Sequence, residues 1–170
     1  WLLCVIALAG PTWSQLEQPI YKGRTARVIV LDLSLSMDAD DLKPSRLTRA
    51  RFKVLDILER SREGQAALIV YAQDAFVVSP LTDDSNTISA LVPVLSTEIM
   101  PGQGSRLIRA LRKADEILEH ARVSSGEIIV LTDGVSELDQ TLEIIREIRK
   151  HGWRTSFLGI GTTQGAPIPL

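Results

Sequence analysis

One cysteine, two histidines, two methionines and 5% aromatics are all that this 170-residue chain holds of sulfur, imidazole and ring side chains. A lone cysteine allows no intrachain disulfide, so cysteine usage encodes no redox compartment, and Cys4, set in an apolar run, reads as a small hydrophobe. His120 and His151 fall near helix C-termini, where a partly positive ring is favoured, and no G-x-S-x-G nucleophile elbow accompanies them. There is no Walker A pattern, and Gln164 stands where a dinucleotide loop opened by Gly159-Ile160-Gly161 needs its third glycine. Net charge is small too: a net −2 and a pI near 5.7 give no electrostatic reason to expect nucleic acid. Arg46, Arg49, Arg51 and Lys53 do cluster, and they read as the solvated face of a helix. No internal repeat or low-complexity segment is present.

Apolar runs are short as well. Trp1 to Gly10 opens the chain with no initiator Met and no charge before Glu17, and ten residues fall short of the roughly 20 that cross a bilayer. We expect residues 1–13 to be the end of a transmembrane helix whose start is missing, with Trp13 as an interfacial anchor, followed by a polar linker over 14–26. The end of a signal peptide, with small residues at Leu8-Ala9-Gly10, is the competing reading.

What is present is ample for one core: 45% hydrophobic residues in a chain too short for two ordinary domains. From residue 27 the hydrophobic period switches repeatedly between two and 3.6. This predicts a buried strand from Arg27 through Leu33, a helix near Ser45 to Arg60, a strand over Gln65 to Tyr71 and a tight turn at Gln73-Asp74. A short antiparallel edge strand follows over Ala75 to Ser79, because two residues cannot make a parallel crossover. Further helices are expected at about Asp84 to Leu95, Arg106 to Glu119 and Glu137 to Lys150, with strands at Glu127 to Leu131 and Thr155 to Ile160. The fold class is therefore α/β: three layers, doubly wound, with a mostly parallel sheet and one antiparallel edge strand.

Polarity returns abruptly at two strand ends and in one loop. In open parallel sheets ligands gather beyond the strand C-termini, where Asp32-Leu33-Ser34-Leu35-Ser36 and Thr132-Asp133-Gly134 both fall. Spacing by two turns Asp32, Ser34 and Ser36 toward one side of an extended turn. Pro101-Gly102-Gln103-Gly104-Ser105 is a glycine-rich loop leading into a helix. Carboxylate and hydroxyl oxygens suit Mg²⁺, Mn²⁺ or Ca²⁺ and suit zinc or copper poorly. Each piece also has a plain helix-capping explanation: Ser105 as an N-cap, Asp133 as a cap, and Ser136-Glu137-Leu138-Asp139 as a capping box.

Taken together and in order, these pieces resemble the von Willebrand factor A domains, whose metal-ion-dependent adhesion site combines D-x-S-x-S, a Thr in a later loop and an Asp followed by Gly. The likeness is greatest to the bacterial Bat-type proteins named for aerotolerance operons. It runs through Ala7-Leu8-Ala9-Gly10-Pro11, Lys43-Pro44-Ser45-Arg46-Leu47, Ile99 to Gly104, and Gly161 with Gln164 to Leu170. The resemblance implies a domain over 27–170 that lacks its last strand and helix, on a protein anchored in the bacterial inner membrane. It makes Ser34, Ser36 and Ser105 hydroxyl ligands of a divalent ion, Mg²⁺ or else Mn²⁺ or Ca²⁺, with Asp32 and Asp133 contacting it directly or through water. Met37, Gln103 and Gly134 would rim the site. Where the family usually has Thr, Ser105 keeps the hydroxyl and lacks the methyl that stiffens the rotamer. The implied role is binding without catalysis: an Asp or Glu of a protein partner completes the ion's shell. The partners implied are other Bat-type proteins and a MoxR-type AAA+ ATPase. Two alternatives stand beside it, an aspartate-based phosphotransfer enzyme using Asp32 and a metal-independent structural module.

Overall fold

The computed structural model describes residues 25–61, 64–121 and 123–162, together with Trp1, Gly165, Pro167 and Ile168. Five strands form one sheet: β1 (Thr25–Asp32), β2 (Gln65–Tyr71), β3 (Ala75–Thr82), β4 (Ser125–Thr132) and β5 (Arg154–Gly159). Their order is β3-β2-β1-β4-β5, with β1 parallel to β2 and β4, β4 parallel to β5, and β3 antiparallel to β2. Four helices connect them: α1 (Arg46–Arg60), α2 (Ser85–Leu91), α3 (Leu107–Ala121) and α4 (Leu138–Lys150).

The aliphatic run of β1 explains the layering, because successive side chains leave a strand on opposite faces. Ile29, Leu31 and Leu33 join Leu47, Ala50, Val54 and Leu58 of α1 and Ile88 of α2 in one core. Ala26, Val28 and Val30 join Leu107, Ala110, Leu111, Ala114 and Leu118 of α3 and Ile144 and Ile148 of α4 in the other. A central strand buried on both faces fixes its register strongly, since a one-residue slip would exchange the two sets. Parallel pairing then sets Leu31 against Leu131 and brings the C-terminal ends of β1 and β4 side by side. The candidate residues of both motifs thus share one edge of the sheet.

Boundaries differ from expectation where local chemistry intervenes. β1 starts at Thr25, with Ala26 buried in the core, so the expected linker is shorter by two residues. β3 runs on to Thr82 through register shifts against β2. α2 stops at Leu91, short of Leu95, and Val92–Val94 is a 3₁₀ turn, because Pro93 has no N–H with which to continue an α-helix. α4 ends where Lys150-His151-Gly152 predicts a stop, Gly152 taking a positive φ of 94°. Residues 2–24, which hold Cys4, Trp13 and most of the expected membrane segment and linker, lie outside the described residues; among the described residues no helix is long and apolar enough to cross a membrane.

Ser45 caps α1, its Oγ accepting the Thr48 N–H at 3.2 Å. Replacing Ser45 with Ala should destabilise the domain by about 1 kcal/mol, read as a lower urea midpoint at unchanged slope.

Candidate metal centre

Asp32 ends β1 with its side chain fully buried. Its Oδ1 accepts the Ser34 N–H at 2.8 Å, closing a local turn. Its Oδ2 accepts three hydroxyls: Thr132 at 2.7 Å from β4, Tyr71 at 2.8 Å from β2, and Ser105 at 3.5 Å from the glycine-rich loop. Sheet register delivers the first two, since Tyr71 and Thr132 end the strands that flank β1. Every donor is neutral, and among the described residues no Lys, Arg or His bonds to Asp32. Burial pushes its carboxyl above the ordinary carboxylate range, with the Ser34, Thr132 and Tyr71 hydrogen bonds pulling it partly back. The Tyr71 phenol is likewise pushed up, by burial first and by the Asp32 charge second.

In front of this carboxylate lies a layer of serine hydroxyls. The chain does not stay extended after Asp32; Leu35–Asp38 winds into a 3₁₀ turn, with Met37 N–H donating to Ser34 O at 3.0 Å. The turn, and not strand-like alternation, brings Ser34 Oγ within 3.1 Å of Ser36 Oγ. It also corrects one expectation. Met37 points inward and is completely buried in the α1-side core, so it cannot belong to a partner-binding rim. Gln103 and Gly134 are exposed, as a rim requires, although the Gln103 amide donates to Thr97 O at 3.3 Å.

Asp133 follows β4, and neither capping explanation holds for its loop. α4 begins after Glu137 with no side-chain cap, and the Ser136 hydroxyl donates to Ser105 O at 3.0 Å, tying two site loops together. The Asp133 carboxylate is held by Arg46, whose Nη1 donates to its Oδ2 at 2.7 Å and to Ser36 O at 3.3 Å. One guanidinium nitrogen thereby sets Asp133 beside the serine turn. Ser105, Asp133, Gly134, Val135 and Ser136 line a shallow cleft of about 270 Å³ at this point.

Arg46 therefore leaves the solvated group to which the sequence assigns it. It is buried, with Nε and Nη2 forked onto Asp41 at 2.7 and 3.0 Å, and Asp41 in turn accepts the Thr162 N–H and hydroxyl at 2.9 and 2.8 Å. The Arg46 guanidinium is the main cause that holds the Asp41 carboxyl well below the usual carboxylate range. Sequence reasoning missed both residues, and it missed the support that Thr132 and Tyr71 give to Asp32. A signal for Arg46 does exist. A cation in the first turn opposes the helix dipole, so an Arg directly after the Ser45 cap is out of place unless carboxylates await it.

The assembled donors are all oxygens, hard ligands of the kind that small dications take. A buried carboxylate without a cationic partner is costly unless positive charge compensates it. Asp32 with its hydroxyl layer thus fits a divalent ion. A second group of ligand-capable side chains, Asp115, Glu119 and His151, lies where α3 and the C-terminal end of α4 meet, at the opposite end of α4 from Asp133. There His151 Nδ1 approaches Asp115 at 3.0 Å and Glu119 at 3.2 Å, and the Asp115 hydrogen bond raises its pKa, favouring a charged ring between the two carboxylates.

Comparison with known proteins identifies the family of the fold. The family model of the von Willebrand factor type A domain matches residues 27–136. Among solved structures, an aerotolerance-related membrane protein from Bacteroides fragilis carrying multiple mutations to serine is 28% identical, with a TM-score of 0.80 over 86% of this chain and 72% of its own. BatB, a conserved hypothetical protein from Bacteroides thetaiotaomicron, is 31% identical, with a TM-score of 0.79 over 86% of this chain and 71% of its own. An uncharacterized protein of Borreliella burgdorferi is 27% identical over 96% of this chain. The chain spans 48% of that relative's length and smaller shares of the Nocardia farcinica and Mycobacterium bovis proteins it also matches. A family match across four of the five strands and a Bat-type neighbour 31% identical over the aligned 86% of this chain make this chain a member of the von Willebrand factor type A domain family, Bat-like within it.

Proposed function

We propose that the domain binds a protein partner through a divalent cation, most simply Mg²⁺, held by Ser34, Ser36 and Ser105 with Asp32 and Asp133 supplying the negative charge. The observation that carries this reading is Asp32: a buried carboxylate surrounded by neutral donors only, behind hydroxyls that reach the surface at Ser36 and Ser105. A bound dication supplies positive charge there for one further anionic oxygen, an Asp or Glu of the partner. Other Bat-type proteins and a MoxR-type AAA+ ATPase are the partners that family membership brings forward. The B. fragilis neighbour is described as a membrane protein. An anchor within residues 1–13 would place this domain at the bacterial inner membrane, where such partners meet.

Calorimetric titration of Mg²⁺ into the chain tests the reading. Heat of binding is expected, and its absence overturns the proposal. Ser105→Ala should weaken the ion, whereas Ser105→Thr, which keeps the hydroxyl and stiffens its rotamer, should tighten it by about threefold. A metal-independent module has one observation in its favour, the pairing of Asp133 with Arg46. On that reading neither Ser105 variant changes any ion response. Phosphotransfer on Asp32 would need an accessible carboxylate oxygen, and the side chain is fully buried.

A further inference from the structure

Three segments that carry, adjoin or bond to the loops of the proposed ion site each present an exposed aliphatic side chain. Leu35, 45% exposed, stands between the two ligand positions Ser34 and Ser36. Ile99, 52% exposed, belongs to the 3₁₀ turn Thr97–Ile99, which the Thr97 hydroxyl ties to Asp38 of the serine turn. Leu138, 59% exposed, opens α4 five residues after Asp133, and Val135 between them lines the cleft. None of the three belongs to either core cluster, and apolar side chains placed around a polar centre suit the composition of a surface that another molecule covers.

The charges on the same loops narrow what can sit there. Arg106, exposed and next to Ser105, favours one carboxylate at the centre. Exposed Glu98, beside Ile99, and exposed Glu137 and Asp139, on either side of Leu138, oppose a second carboxylate beyond it. An acidic tract would therefore be repelled at the rim that a single acid flanked by apolar residues would fit.

We infer that the partner presents one Asp or Glu between apolar side chains, the carboxylate reaching the ion and its neighbours covering Leu35, Ile99 and Leu138. This inference rests on the ion-dependent reading above. It is tested by fluorescence anisotropy of the chain with three labelled peptides in one Gly-Ser frame, carrying Leu-Asp-Leu, Ser-Asp-Ser or Leu-Asn-Leu, in Mg²⁺ and in chelator. In Mg²⁺, Leu-Asp-Leu is expected to bind at least about tenfold more tightly than Ser-Asp-Ser, as burial of one or two leucines implies, and at least about tenfold more tightly than Leu-Asn-Leu, whose neutral amide brings no charge to the ion. The variant Leu35→Ser/Ile99→Ser/Leu138→Ser should lose the preference while calorimetry shows unchanged Mg²⁺ binding. Equal binding of Leu-Asp-Leu and Ser-Asp-Ser, or a preference that survives in the triple variant, overturns the apolar rim. So does the absence of Leu-Asp-Leu binding by chain that holds Mg²⁺. A Leu-Asp-Leu preference that persists in chelator and is lost in the triple variant supports the rim and instead overturns the ion-dependent reading.

Discussion

In chelating buffer near neutral pH, Asp32→Asn should unfold at a higher urea concentration than the unsubstituted chain, and Mg²⁺ should reverse that order. The first half follows from burial. Desolvation is the largest influence on the Asp32 carboxyl and raises its folded pKa above the ordinary 3.8. A group with a raised folded pKa stabilises fully below its unfolded value, and that contribution is lost as pH rises through the folded value. The unsubstituted chain therefore loses stability relative to Asp32→Asn as pH rises from about 4 through the raised folded value, since the amide does not titrate. Asp41 works in the opposite sense: its lowered pKa gives stability that is present above 3.8 and lost as pH falls through the folded value. Both proteins share it, so it cancels in their difference. The second half follows from linkage. A cation at a hundredfold its Kd stabilises the binding-competent protein by about 2.7 kcal/mol, and the variant, without the charge behind the hydroxyl layer, should gain almost none of it. An equal Mg²⁺ response in the two proteins would mean that any bound ion sits elsewhere.

The same residue shows how much of the site the sequence carries. Asp32 is legible because a strand buried on both faces ends there, and a carboxylate after Leu31 has nowhere to go but the sheet's C-terminal edge. Ser105 and Asp133 are legible through the glycines beside them and through the family pattern. What holds them is not. Tyr71 and Thr132 are parts of apolar strands in the sequence, and only parallel register turns them onto Asp32. Met37 fails for a related reason: its neighbours suggest a surface loop, but a 3₁₀ turn advances about a third of a turn per residue and swings it into the core. At the fold level the layer order and the antiparallel edge strand follow from hydrophobic period and loop length. Helix ends follow less well, as the early stop before Pro93 and the uncapped start of α4 illustrate.

Arg46→Met should be the most damaging single change near the site. Methionine keeps much of the apolar stem, so the loss is chiefly of charge and of the four hydrogen bonds to Asp41, Asp133 and Ser36 O. Removing one partner of a buried ion pair leaves the other charge uncompensated, typically at 3–5 kcal/mol. Solvent reaches the edge of this one, with 11% and 12% of the Arg46 and Asp133 side chains exposed. A loss of about 3 kcal/mol in chelator, at the lower end of that range, is therefore expected. Two measurements separate charge from packing. Adding Asp133→Asn to Arg46→Met removes one of the stranded carboxylates, so the double variant should recover at least about 1 kcal/mol over the sum of the single effects. NMR titration should show the Asp41 carboxyl protonating at higher pH in Arg46→Met than in the unsubstituted chain, because the guanidinium is what chiefly lowers it. Additive single effects with an unmoved Asp41 titration would reduce Arg46 to a space-filling residue. Coupling of the expected size would make it the residue that keeps Asp133 beside Ser36 before any ion arrives.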